Sequence, residues 1–178
     1  MTIETLTRDK ETASKYNPLG YLSSANLTDK QVDLLYDLDN FQAPYLEEKL
    51  ISEGKFKNSK EYNKAFTEFK KYVGLTQIAD KKGISMLSKD VDKVWHQFLL
   101  FTPQYHEFCN KTLGGYLHHV PNTSVTPINP KGKNNFIDSY KKIFGKIHKT
   151  WGLKNSADCD TIFCAPPPCC DETPPCGD

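Results

Sequence analysis

The sequence predicts an all-α fold: a compact domain of about five to six helices, followed by a disordered Cys/Pro-rich tail. Apolar residues recur at three- and four-residue intervals in several stretches. Cap residues, prolines and glycines stand where those stretches begin and end. No stretch alternates at period two, so only short extended pieces are expected in the loops. The chain has 178 residues. A domain of that size buries roughly 70% of its unfolded surface and needs neither metal nor disulfides merely to fold. The expected organisation is a loose segment at 1–26, a helical domain at 27–154 and an acidic tail at 155–178. Within the first segment, Leu19, Tyr21 and Leu22 can dock.

The first helix starts at Thr28. Thr28 and Gln31 form a capping-box pattern, and Leu27 with Val32 can staple the entry. Val32, Leu35, Tyr36 and Leu38 mark its apolar face up to about Asn40. Pro44 suits the first position of a second helix, which carries Tyr45, Leu46 and Leu50 and stops at Gly54. Ser59 is expected to cap a third, where Tyr62, Phe66, Phe69 and Val73 recur at helical spacing; Gly74 weakens it, and Gly83 ends whatever follows. Ser88 caps a fourth, with Val91, Val94, Trp95, Phe98 and Leu99 on a broad buried face. Thr102-Pro103 reads as a corner, Thr as cap and Pro as first helical residue. The fifth helix carries Tyr105, Phe108, Cys109 and Thr112 and ends at Gly114-Gly115. After a loop marked by Pro121, Pro127 and Pro130, a last helix holds Phe136, Ile137, Tyr140, Ile143 and Phe144, with Gly145 near its end.

Composition narrows the function classes. Lys+Arg is 23 and Asp+Glu is 22, a net charge of +1. Bulk charge therefore does not suggest a nucleic-acid binder, and Arg8 is the one arginine, so bidentate phosphate or base recognition has little to work with. Apolar runs are too short for a membrane span. The polar N-terminus lacks an apolar signal core, so a cytoplasmic location is expected. There is no G-x-x-x-x-G-K-[ST] and no G-x-G-x-x-G, hence no sequence support for nucleotide binding.

Chemistry concentrates at residues 92–121, DKVWHQFLLFTPQYHEFCNKTLGGYLHHVP. The stretch holds four of the five histidines and Cys109, the one cysteine outside the tail. His96 lies six residues before Thr102 and Cys109 seven after it. On antiparallel helices both sit roughly 9–10 Å from the corner. The Gly114-Gly115 break lets the chain return His118 and His119 toward the same point. Imidazoles with a thiolate suit a divalent transition metal, zinc above all, with copper or iron(II) as variants. Asp92, one turn before His96, is placed to accept the free ring N–H of a metal-bound His96. Asp92 or Glu107 could also serve as a carboxylate near a metal-activated water. Trp95 is expected in the core rather than at the site.

The order Asp92-x-x-Trp95-His96, Thr102, Tyr105, Phe108-Cys109, Gly114 or Gly115, His118-His119-x-Pro121 resembles a family of small, largely uncharacterised bacterial proteins. Its members often end in a cysteine- and glycine-rich tail. More remotely it is similar to a module of plant and fungal glycine-rich-domain proteins. The resemblance covers about thirty residues well and reaches weakly to Tyr140, Phe144-Gly145 and Trp151-Gly152. It leaves the position of His106 open, so His106 is set aside as a ligand. It implies a family label and no reaction. The tail departs from the pattern, with proline where the relatives have glycine.

The tail carries Cys159, Cys164, Cys169, Cys170 and Cys176, five aspartates and glutamates from Asp158 onward, and no basic residue beyond Lys154. Clustered thiols in a reducing compartment bind metal or exchange rather than form structural bridges. Their spacings lie at the permissive edge for zinc. Two function classes follow. One is a transition-metal-binding helical protein using His96, Cys109, His118 and His119. The other is an interaction scaffold whose tail binds a protein partner or soft metal, or is itself modified. A cysteine hydrolase is the weaker reading, because mid-helix nothing lowers the Cys109 thiol pKa. The sequence leaves open whether the protein is an enzyme.

Overall fold

A computed structural model of the chain describes residues 16–81, 83–120 and 129–153. Among them are six α-helices and no strand: α1 Asp29–Asn40, α2 Pro44–Ser52, α3 Ser59–Ile78, α4 Lys89–Leu100, α5 Thr102–Phe108 and α6 Pro130–Phe144. The all-α expectation holds. A π-helical turn, Cys109–Leu113, follows α5, and 3-10 turns lie at Pro18–Gly20, Ser23–Ala25 and Lys149–Trp151. The expected tail and its five cysteines lie outside the described residues, as do residues 1–15.

Two starts differ from expectation by one residue. The cap of α3 is Asn58, whose side chain accepts from the Glu61 N–H at 3.0 Å, and Ser59 is the first helical residue. Thr102 does not cap α5: Phe101 ends α4, with its N–H on the Phe98 carbonyl, and begins α5, so the corner turns on one residue. The other expected caps are present. Thr28 and Gln31 exchange both bonds of the capping box, and Ser88 Oγ accepts from the Val91 N–H at 3.3 Å.

Helix α3 is the axis of the fold and touches α1, α2, α4 and α6. It runs through Gly74 to Ile78. A Cβ at Gly74 would lie 2.9 Å from Leu35 Cδ2 and 3.4 Å from Leu38 Cδ1, so the glycine lets α1 close on α3. The core is strongly aromatic, with Phe69 between Phe66, Trp95 and Phe98, and Tyr72 between Trp95 and Trp151. Glu68, 3% exposed, anchors the C-terminal end. Its carboxylate accepts from Tyr140 Oη at 2.8 Å and Trp151 Nε1 at 2.6 Å, and Lys71 Nζ lies 3.1 Å away. Burial and this neighbouring carboxylate push the Tyr140 hydroxyl far up, so it stays a donor.

Ahead of α1, Leu19 is buried, Tyr21 packs against the core, and the Leu22 N–H reaches the Ile143 carbonyl on α6 at 2.7 Å. Among the described residues no helix is long and apolar enough to cross a membrane.

Candidate metal centre

Helix α4 has two faces. Val91, Val94, Trp95 and Phe98 are buried against α3 and α5. Asp92 and His96, one turn apart, lie on the other side, because neighbouring positions differ by about 100° around a helix. The Asp92 side chain is 31% exposed and that of His96 is 53% exposed. The third member comes from the segment after Gly114, which stands in the left-handed region at φ 68° and turns the chain back. His119 arrives there with its side chain only 8% exposed, its ring 4.3 Å from Trp95 and 4.5 Å from His96, centroid to centroid.

Asp92 bridges the two imidazoles. Its Oδ1 is 2.8 Å from His119 Nε2 and its Oδ2 is 3.5 Å from His96 Nδ1. One donor atom from each of the three residues lies within 4.8 Å of the others. Two imidazoles and a carboxylate at that separation can close on a single divalent ion and leave a further position free.

A buried hydrogen-bond relay holds His119 in place. Trp95 Nε1 donates to Tyr105 Oη at 3.0 Å, and Tyr105 Oη donates to the Leu117 carbonyl, two residues before His119. Burial pushes the Tyr105 hydroxyl well above its ordinary range, which keeps it protonated and donating. Trp95 is thus a core residue, 3% exposed, and also the floor under His119, so the separation of core from site expected at this residue does not hold.

The structure does not bring all the expected ligands together. Cys109, first residue of the π-helical turn that follows α5, is fully buried like Tyr105 and Phe108, a free thiol that lies outside the group formed by Asp92, His96 and His119. Level along the hairpin and facing direction are separate matters: His96 points outward from α4 and Cys109 points into the core. His118 is exposed, with its ring 4.8 Å from Tyr116. Glu107 is exposed and pairs with Lys111, which holds its carboxyl below the usual range. His106 faces Asn110 at the surface. Asp92, expected to stand behind His96, touches His119 more closely than it touches His96. The buried face read along α4 already implied that Asp92 and His96 point away from Cys109. No periodic signal marks His119, because it sits in an aperiodic segment.

A family model described as UCP032817-like matches residues 34–160, a span that contains all three residues of the cluster. That description names no activity. No curated protein and no solved structure matches the chain.

Proposed function

We propose that this chain, which belongs to the UCP032817-like family, is a transition-metal-binding protein holding one divalent ion between Asp92, His96 and His119. The observation behind this reading is the convergence of three donor atoms within 4.8 Å from two separate segments. Zinc fits the donor set best. It takes imidazole nitrogen and carboxylate oxygen at about 2.0–2.2 Å, and three protein ligands commonly leave it an open fourth position. Iron(II) is the runner-up, since two histidines and a carboxylate are also its ligand set in oxygen chemistry. A zinc ion with an open position would supply an activated water, with the Trp95 ring shielding one side of His119. In this reading Cys109 is a packing residue that a reducing, cytoplasmic setting leaves as a thiol, and His118 stands beside the ligand set rather than in it.

The test is metal content in full-length protein whose five tail cysteines are replaced by serine, so that tail thiols supply no signal. The expected result is one zinc per chain after reconstitution. It should be retained in Cys109→Ser and His118→Ala and lost in His96→Ala, His119→Ala and Asp92→Asn. If the parent carries no stoichiometric metal, the cluster is a hydrogen-bonded latch between α4 and the segment at 114–120. The scaffold reading, with the tail binding a partner, then takes precedence.

A further inference from the structure

We infer that a cavity between α1, α3 and α6 is a binding site for a small zwitterion with an aliphatic side chain, an apolar α-amino acid. The cavity has a volume of about 270 Å³. Sites for drug-sized ligands occupy roughly 300–1,000 Å³, so the fitting molecule is a smaller one. The lining comes from the entry of α1, the end of α3 and one face of α6. Asp92, His96 and His119 are not part of it. The inference therefore goes beyond the metal-binding reading and does not depend on it.

The floor of the cavity is apolar, with Ala25, Ile78 and Ile143 all buried. One polar group stands among them. Ser139 of α6 is 6% exposed, and among the described residues its hydroxyl has no hydrogen-bond partner. No fully enclosed side-chain nitrogen or oxygen among the described residues lacks a partner. The Ser139 hydroxyl therefore opens on the cavity, where a bound molecule can pair with it. Left unpaired in apolar surroundings, such a group is costly. Gln31, on the first turn of α1, adds a donor. Its Oε1 accepts from the Thr28 N–H at 2.9 Å, which leaves its amide NH₂ to donate elsewhere.

The rim carries both signs in equal number. Lys81 Nζ lies 2.6 Å from Asp138 Oδ2, and Lys142 Nζ lies 2.7 Å from Asp80 Oδ2. Asp138 and Lys142 are one turn apart on α6, so the two pairs sit side by side. Helix ends add to this pattern. The entry of α1 brings a positive end to the cavity, and the end of α3 brings a negative one. A ligand with both a carboxylate and an ammonium answers both poles. A ligand with one charge answers one pole and leaves the rim unbalanced. A pure hydrocarbon leaves Ser139 Oγ unpaired. An aliphatic side chain suits the floor, because its burial takes apolar surface out of water.

Isothermal titration calorimetry of the full-length chain with L-leucine, L-isoleucine, L-valine and L-methionine tests the assignment. At least one should bind saturably, with Kd below about 1 mM. The matching acid without the amine, and the amine without the carboxylate (isocaproate and isoamylamine for leucine), should bind at least about tenfold more weakly. Ser139→Ala should weaken the amino acid about tenfold, the scale of one hydrogen bond to a charged group. It should leave the melting temperature of the free protein within a few degrees. Asp80→Asn, at an exposed position, should weaken the amino acid more than the acid lacking the amine. His119→Ala should bind as the wild type does, which separates this site from the metal centre. The inference is overturned by no saturable binding of any of the four, or by a singly charged analogue that binds equally well. Unchanged affinity in Ser139→Ala, wild-type preference in Asp80→Asn, or loss of binding in His119→Ala overturns it too.

Discussion

Tyr105 joins Trp95 of α4 to the segment that carries His119. Its hydroxyl accepts from the Trp95 indole and donates to the Leu117 carbonyl, within a residue only 1% exposed. Tyr105→Phe leaves an indole N–H and a carbonyl without this partner, and each such loss costs about 1–3 kcal/mol. The expected result is a fall of that size in urea unfolding, together with zinc affinity at least about tenfold weaker, the usual scale for losing a ligand's support. His96→Ala should weaken zinc without the stability loss, which separates a positioning role from a ligand role. At this scale the sequence was legible where side chains repeat along a helix. Tyr105, Phe108 and Trp95 were all readable as inward-facing. The partner of Tyr105 is a backbone carbonyl in an aperiodic stretch, and nothing in the residue type of Leu117 announces it. Cys109 lies outside the group of Asp92, His96 and His119 for a related reason: distance along two helices says nothing of the rotation about each axis.

Helix packing turns on small local choices that a pattern of apolar residues only partly reveals. Gly74 reads in sequence as a weak point in a helix, and in the fold it lies against Leu35 and Leu38 of α1. Gly74→Ala improves helix propensity by about 1 kcal/mol. Its new Cβ would meet Leu35 Cδ2 at 2.9 Å, and overpacking of that kind costs about 1–3 kcal/mol. Net destabilisation in urea is expected. A stabilised variant would mean that Leu35 swings aside freely. The same helix shows how far caps can be read. Lys57, Asn58 and Ser59 form a polar run with two eligible residues side by side, and only the bond from the Glu61 N–H to Asn58 decides between them. Likewise the π-helical turn at Cys109–Leu113 has no signature in residue type, although the Gly114-Gly115 pair correctly marks where the chain leaves it.

Across the whole molecule, Glu68 ties the middle of the chain to the end of the described fold. Trp151 and Tyr140 both donate to it, and Trp151 also fills the space between Tyr72 and Phe136. Trp151→Ala should therefore cost about 3–5 kcal/mol. Removing residues 154–178 is expected to leave the melting temperature within a few degrees. A large fall on that truncation would make the tail part of the folded core. The helical architecture was legible from period and punctuation. This keystone was not, because a buried carboxylate in a lysine-rich helix looks like any other surface charge until its partners arrive. The partners also arrive late in time. Trp151 follows Glu68 by 83 positions, which at ordinary synthesis rates is a wait of roughly 4–17 s on the ribosome. Through that interval a nascent α3 shows its carboxylate and the aromatic face beside it to the cell. The centre of the fold therefore closes only after Trp151 has been made, and chaperone engagement with this protein should be greatest after α3 has emerged and should fall once Trp151 is in place.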